Sequence, residues 1–537
     1  MTVHAPTLAP SAHVDTFCRD NLPPPETWPV LDLGDLGYPE RLNCAVALLD
    51  ATIDRLGADR PCLRTPGGGT WSYGELRDRA DRIAAVLVDE LGLVPGNRVL
   101  LRGFNEPWLV ACWFAVLRAG GVVVTTMPAL RAGELATIGE MCRPALALCD
   151  ARLTEDLERA AVPGMVVAPF GGDGPGDLTA RAAARRDAPP APADTAADDV
   201  ALLAFTSGTT GKPKATMHFH RDVLAIADTF GAHVLRPEPE DVFTGTPPLA
   251  FTYGLGGLVV FPLRVGASVL LLERATPDQL ADAIADHGVT VLFTAPTAYK
   301  AVVAGGKADR LAGLRRAVSA GENLPAATWH AVHDATGLRV IDGIGATEML
   351  HIFVSAADDD IRPGCTGRAV PGYTAAVLDD DGEPVPDGTE GHLAVRGPTG
   401  CRYLFGDRQE SYVRHGWNHT GDTYVRDTDG YFTYRARTDD MIVSAGYNIA
   451  GPEVEQALLQ HPAVVECAVV GAPDPDRGTI VKAFVVLDPE HTGEVPPEEL
   501  QAHCKRVIAP YKCPRAVEFR TELPRTATGK LQRFRLR

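Results

Sequence analysis

No Cys-x-x-Cys pair occurs among the 11 cysteines of this chain. An odd, scattered set excludes a disulfide framework and fits reduced thiols in a cytoplasmic protein. Basic residues are in deficit: 51 Lys and Arg stand against 69 Asp and Glu, a formal net charge of -18. A surface of that sign repels nucleic acid and anionic membranes, so neither is expected as a main partner. It repels any small polyanion as well, so a site for one has to be locally basic. Long apolar runs are also missing. The uncharged stretch Pro247 to Leu263 is broken by proline and glycine and stops at Arg264, short of the roughly 20 apolar residues that span a bilayer. The opening residues, Met1 to Pro6, lack the basic start and apolar core of a signal peptide.

What remains is an ordinary globular composition, 45% hydrophobic and 22% charged. At 537 residues the chain is too long for one core, and at least two domains are expected. Strand-like runs alternate with helical stretches over most of the length. Val99 to Leu101 and Gly121 to Thr125 flank a helical segment from Glu106 to Arg118. Ala267 to Leu272, Val289 to Phe293 and Arg316 to Ser319 are further strands, and Pro277 to Asp286 reads as a helix with proline at its first position. This alternation predicts α/β layers. Arg181 to Asp199, rich in Ala, Pro, Arg and Asp, reads as a solvated connection. Short strands and tight turns from Gly372 to Gly397 predict a small β-rich subdomain. After Asp439 a compact α+β unit follows, with helices at Pro452 to Leu459 and Pro497 to Ile508 and strands at Ala463 to Gly471 and Ile480 to Leu487. The boundary is placed near Arg437 to Asp440, giving a large N-terminal domain over 1–438 and a small, mobile C-terminal domain over 439–537.

The run that carries most chemistry follows the strand Val200 to Phe205. It reads Thr206-Ser207-Gly208-Thr209-Thr210-Gly211-Lys212-Pro213-Lys214. Glycines let backbone N–H groups approach an anion, hydroxyls add donors, and two lysines neutralise charge. The spacing is too short for a Walker A loop, and Pro213 stands where that loop needs Ser or Thr. A surface hairpin is the plainer reading of the run taken alone. His218 and His220 lie just beyond, and with no Cys or His cluster around them a structural role is favoured over metal binding.

The run resembles the signature of the adenylate-forming superfamily, which includes acyl-CoA synthetases, peptide-synthetase adenylation domains and firefly luciferase. Further motifs follow in that family's order. Ser319-Ala320-Gly321-Glu322 resembles its adenine-binding turn. Gly343-Ile344-Gly345-Ala346-Thr347-Glu348 resembles the next motif, whose Thr contacts the α-phosphate and whose Glu helps hold Mg²⁺; carboxylate plus phosphate oxygens suit that ion. Trp417 to Asp422 resembles the stretch whose Asp accepts the ribose hydroxyls. Arg435 to Asp440 resembles the interdomain hinge, implying a nucleotide contact for Arg437 and the hinge at Asp439, although Ala436 replaces the family's usual Gly. Gly446 matches a glycine beside the CoA arm, where only glycine is expected to leave room for a pantetheine tunnel. Pro524 to Lys530 closes the series, with Lys530 matching the catalytic lysine.

The resemblance implies a two-step reaction. ATP and a carboxylic acid form an acyl-adenylate with release of pyrophosphate, the C-terminal domain rotates about the hinge, and CoA takes the acyl group. Lys530, Thr347 and Glu348 are the implied catalytic residues, with ATP, Mg²⁺ and coenzyme A as cofactors and cosubstrates. Adenylation domains for α-amino acids carry an Asp where Thr252 stands in Pro247 to Gly256, which argues against an α-amino acid. Phe251, Tyr253 and His351, with Gly254 and Ile352 beside them, are candidates to wall a flat pocket, since aromatic faces favour flat ligands; Phe251 and Tyr253 are otherwise plain core residues. Pro247 to Gly256 and Glu348 to Phe353 resemble benzoate–CoA ligases, and His13 to Leu22 with Tyr38 to Asn43 resembles 2-aminobenzoate–CoA ligases. The candidate acids are 2-aminobenzoate, benzoate and 2-hydroxybenzoate. An ortho substituent needs a polar partner, for which His351 and Tyr253 are both open. The rival readings are a stand-alone adenylation enzyme that loads a carrier protein, a luciferase-like oxidase, and a non-catalytic nucleotide-binding protein.

Overall fold

The structure, a computed structural model, describes residues 8–187, 189–207, 213–322, 324, 326–406, 408–437, 441–444, 446–475, 477–488, 495–524 and 533–536. Two large sheets form the N-terminal part. The first has six strands in the order Val166–Phe170, Leu146–Asp150, Arg98–Arg102, Val122–Thr126, Val200–Ser207, Pro213–Phe219. All pairings are parallel except the last. Strands such as Val122–Thr126 are continuous apolar or β-branched runs because both faces of a parallel sheet are covered. The helix Pro107–Arg118 between two of them is buried along nearly its whole length.

The second sheet has nine strands. Its centre runs Ile341–Gly345, Arg316–Ala320, Val291–Thr294, Val242–Gly245, Ser268–Leu270, Pro61–Arg64, all parallel. Antiparallel strands lie outside this centre on both sides: Ile352–Ser355 and then Arg368–Ala369 at one end, Thr70–Ser72 at the other. The helix Pro277–Asp286 lies where the sequence places it, and its cap explains why: the Thr276 hydroxyl accepts from the Gln279 amide while Gln279 accepts from the Thr276 amide. One apolar core runs continuously between the elements of these two sheets and reaches the third. That third sheet has five strands, including Thr374–Leu378, Glu390–Arg396, Trp417–Arg426 and Phe432–Arg437. It is the expected β-rich subdomain, carried further along the chain than Gly397.

The smaller C-terminal domain has its own core. It contains the hairpin Met441–Ser444 with Tyr447–Ala450, a three-stranded sheet of Val464–Asp474, Gly478–Leu487 and Ala516–Phe519, and the helices Gly451–Leu458 and Pro497–Val507. Asp439, the expected hinge, lies outside the described residues.

One expectation is corrected. The connection Arg181 to Asp199 is not solvated throughout. Its start belongs to the helix Leu178–Ala184, and its end is buried, with Thr195, Ala196 and Asp199 all 1% exposed or less. Small side chains pack closely there, and the Asp199 carboxylate accepts from the Ser11 hydroxyl and from the amides of Ala12 and Ala196. These bonds offset the burial of its charge.

Candidate active site

The central strands of the nine-stranded sheet end side by side: Val291–Thr294 before Ala295, Arg316–Ala320 before Gly321, Ile341–Gly345 before Ala346. Carboxyl ends of parallel strands are where open α/β sheets take ligands. A cavity of about 1430 Å³ opens at this edge. Thr206, Lys214, Phe251, Tyr253, Gly321, Gly345, Thr347, His351, Ile352 and Gly446 all line it. Residues spread over 240 positions thus share one wall, and they belong to all three parts of the expected constellation: phosphate loop, acid pocket and C-terminal glycine.

The expected anion-binding end is built on the strand pair Val200–Ser207 and Pro213–Phe219, antiparallel, with Thr206 opposite Lys214. A strand follows the run as well as preceding it, where a Walker loop leads into a helix. Ser207 closes the first strand. Gly208, Thr209, Thr210, Gly211, Lys212 and Lys530 lie outside the described residues. The Lys214 ammonium lies 5.2 Å from the centre of the Tyr403 ring. The Tyr403 hydroxyl donates to Glu348 Oε1 at 2.5 Å. Burial, with the Glu348 charge behind it, drives the Tyr403 phenol far above its ordinary range, so it stays a donor. Tyr403 is in turn held by its neighbours, its amide donating to the buried Gln409 side chain. Thr347 and Glu348 sit in a short turn, Thr347–Met349, directly after Ala346. The next residue, Leu350, has φ +69°, a costly conformation for a branched side chain that leads the chain into His351.

The acid pocket is aromatic. His351 is 3% exposed. The Phe261 ring meets it edge-on at 4.6 Å, with Phe230, Tyr253 and Phe293 between 5.5 and 6.3 Å. Burial holds its imidazole down to about 3, against a weak opposing pull from the Tyr253 backbone. It is therefore neutral, with its N–H donor directed at the Tyr253 backbone and its acceptor nitrogen without a partner. The Tyr253 hydroxyl is already engaged, 3.2 Å from the carbonyls of both Thr294 and Val318. Of the two polar partners that the sequence leaves open for a ring substituent, His351 has free capacity and Tyr253 has its donor in use. Gly254 is required by space: a Cβ there would lie 2.1 Å from the Pro248 carbonyl oxygen. Thr252 is buried and opens the short helix Thr252–Leu255.

Glu322 and Glu348 directly follow the cavity-lining residues Gly321 and Thr347 in the chain. Burial pushes the Glu322 carboxyl up to about 7, while the backbone of Gly446 and Thr297 pulls it back. Asp422 is 7% exposed and its backbone pairs across the five-stranded sheet with that of Arg437. The buried Tyr424 phenol is pushed well up by burial and then by Asp422, with Asp342 a lesser cause. Gly446 meets the large sheet at Gly321: a Cβ on Gly321 would stand 3.7 Å from the Gly446 oxygen. Gly446 has φ +79°, which disfavours other residues, and a Cβ there would stand 3.8 Å from the Ala295 Cβ.

Three contributors escape sequence reasoning. Tyr403 stands in a loop with no periodic signal. Asp342 carries an unpartnered Oδ1, directly across from Ser319 with its unpartnered hydroxyl, and burial drives its carboxyl well above the carboxylate range. Gly256 lets His351 seat, since a Cβ would fall 2.3 Å from its Cδ2. Glycine inside a helical run was the available signal. His218 and His220 are buried, the first facing the Thr216 hydroxyl at 3.1 Å, the second accepting from the Cys44 amide. Among the described residues no group of three or more metal-ligating side chains occurs, and no helix is long and apolar enough to cross a membrane.

Comparison with known proteins agrees with this geometry. Residues 49–404 match the AMP-binding enzyme family and residues 453–530 match the AMP-binding enzyme C-terminal domain. A benzoate–CoA ligase of Thauera aromatica is 34% identical over 521 residues, 93% of this chain and 96% of that protein. Among solved structures, the anthranilate CoA ligase AuaEII in complex with anthranoyl-AMP is 33% identical with a TM-score of 0.72, covering 94% of this chain and 98% of that one. The amide bond synthetase McbA from Marinactinospora thermotolerans is 29% identical with a TM-score of 0.82, covering 92% and 99%. The chain belongs to the adenylate-forming, AMP-binding enzyme family.

Proposed function

We propose that the protein is an AMP-forming aryl acid–CoA ligase. The observation that carries this reading is the union, in one cavity, of polar and cationic groups at Thr206, Lys214 and Thr347 with an aromatic wall around a neutral His351. In the first half-reaction the carboxylate oxygen attacks the α-phosphorus of ATP, the bond to the β-phosphate oxygen breaks, and pyrophosphate leaves. In the second, the CoA sulfur attacks the acyl carbon and AMP leaves, the thiol proton passing to solvent or to the leaving phosphate. Both partners of the first step are anions, so cationic groups at the meeting point lower its barrier; removing one such donor typically costs on the order of 10²–10³ in rate. Lys530 and Lys214 are the cations assigned to this role, with Lys212 and the Gly208–Gly211 amides on the phosphates. Gly321 and Glu322 are assigned to the adenine, Gly345 to the nucleotide beside Thr347, Asp422 to the ribose hydroxyls and Arg437 to a further nucleotide contact.

Magnesium fits the site in one mode. A lone carboxylate beside substrate phosphates suits an ion that keeps most of its waters and takes its remaining oxygens from the nucleotide. Glu348 is that carboxylate, oriented by Tyr403. Bound there, the ion would offset charge on the phosphate oxygens.

The unused acceptor nitrogen of His351 favours an acid with a polar ring substituent, 2-aminobenzoate or 2-hydroxybenzoate, over benzoate. A buried acceptor left empty is costly, and an ortho amino or hydroxyl group donates to it. The likeness in shape to an amide bond synthetase makes an amine the second acceptor to test beside CoA. The experiment is a pyrophosphate-release screen over benzoate, 2-aminobenzoate, 2-hydroxybenzoate, cinnamates and short fatty acids. Each is followed by assay of the product formed with CoA, a carrier protein or a simple amine. Turnover with a ring acid and CoA supports the reading. Turnover confined to fatty acids, or acyl transfer confined to a carrier or amine, overturns it.

A further inference from the structure

The two domains meet at a buried polar junction that the chemistry above does not use. Lys512, 6% exposed, sends its ammonium to Glu134 Oε1 at 2.7 Å and to Glu453 Oε1 at 2.5 Å. Glu134 stands in the first turn of the large-domain helix Ala132–Cys142, and Glu453 in the first turn of the C-terminal helix Gly451–Leu458. The second oxygen of Glu134 accepts from the Ala509 amide across the junction at 3.1 Å, and from the Arg131 amide of its own helix. Beside this bridge Tyr511 stacks on Tyr447 at 4.2 Å, and Tyr447 meets Phe251, a wall of the acid pocket, at 6.0 Å. The bridge, the stacked rings and Gly446 lie along one seam, so the contact that docks the C-terminal domain also presents Gly446 and Tyr447 to the cavity.

We propose that Lys512 is a positioning residue for the acyl-transfer half-reaction: its bridge from Glu453 to Glu134 latches the C-terminal domain in the orientation that brings Gly446 and Tyr447 against the acid pocket. This rests on the two-step reading above. The physics makes the latch two-state. Docked, one ammonium is shared between two carboxylates and shielded from water. When the domain swings away, Lys512 keeps Glu453, Glu134 returns to water, and nothing is left buried and unpaired. Removing Lys512 while the domain stays docked leaves two buried carboxylates facing each other, and removing the Glu134 charge takes away the ammonium's tie to the large domain, so the docked orientation alone is penalised. Adenylation, which in this family uses a different orientation that brings up Lys530, is left untouched.

The test separates the half-reactions in Lys512→Met, Glu134→Gln and the double variant. Pyrophosphate exchange reads adenylation, and aryl-CoA formation from supplied aryl-adenylate reads transfer. We expect each single variant to slow transfer at least tenfold with exchange within twofold of the parent, and the double variant to be no slower than the worse single one. Hydrogen exchange at Tyr447–Ala450 should quicken in Glu134→Gln with the nine-stranded sheet unchanged, a readout that needs no acceptor. Equal loss of both half-reactions, unchanged transfer, multiplying effects or unchanged protection at Tyr447–Ala450 overturns the latch. A parent protein that exchanges no pyrophosphate with any ring acid overturns the proposed function instead, and the exchange protection then still judges the latch. If Lys512→Met fails to fold, Glu134→Gln, altered in the large domain, decides.

Discussion

Tyr403 orients Glu348 through one short hydrogen bond, and a bond to a charged acceptor is worth about 1.5–3 kcal/mol. Tyr403→Phe removes the donor and keeps the ring against Lys214. The Mg²⁺ concentration for half-maximal pyrophosphate release should then rise about tenfold, in line with that energy. An unchanged Mg²⁺ titration would detach Tyr403 from the nucleotide site. His351 makes a prediction in pH. Its folded value, about 3, lies below the free value of 6.5. Between the two the unfolded chain binds a proton that the folded chain refuses, so acidification below 6.5 favours unfolding, and above 6.5 the group has no effect. Between pH 7 and pH 5, His351→Leu should therefore lose about 2 kcal/mol less stability than the parent. Urea unfolding at the two pH values measures this; parallel losses would mean that His351 titrates normally.

At the scale of elements, the run Thr252 to Val265 is one helical passage with a wide, π-type turn at Gly256–Val260. Such turns cluster at functional sites because they re-aim a helix face. Here the re-aimed face holds Gly256 against His351. Gly256→Ala should push the imidazole into the pocket, lowering stability by about 1–3 kcal/mol as an overpacked core does. The KM for the aryl acid should rise while that for ATP stays near its parent value. Thermal unfolding and paired KM measurements check this, and a rise shared by both substrates would count against a local effect. Element positions were legible where period and caps agree. Pro277–Asp286 and the strands around Pro107–Arg118 lie within a residue or two of their sequence-based bounds. The tail of the Arg181–Asp199 connection was not, because Ala and Asp carry no hydrophobic signal and are buried there by packing from the N-terminal segment.

At the scale of the molecule, the proposed chemistry needs two arrangements of two domains. In the present one Gly446 faces Gly321 and Tyr447 faces Phe251, which suits acyl transfer. Lys530 is assigned to the other. Lys530→Ala should thus cut pyrophosphate exchange by at least a hundredfold, as loss of a charge-stabilising group does, while transfer from supplied aryl-adenylate stays close to the parent rate. This is the mirror image of the split expected for Lys512. Equal loss of both half-reactions would refute the assignment of Lys530 to one arrangement alone.

By itself the sequence determined the family and the layered α/β architecture, and it singled out the short runs proposed for phosphate, acid and acyl acceptor, because those signals are local: turn chemistry, strand and helix period, and motifs a few residues long. Only the tertiary structure decided that His351 is neutral with an unused acceptor while the Tyr253 hydroxyl is engaged, that Tyr403 holds Glu348, and that Lys512 reaches Glu134 across 378 positions of chain. A side chain's charge state and partners depend on what remote segments bury it, and no local pattern records that.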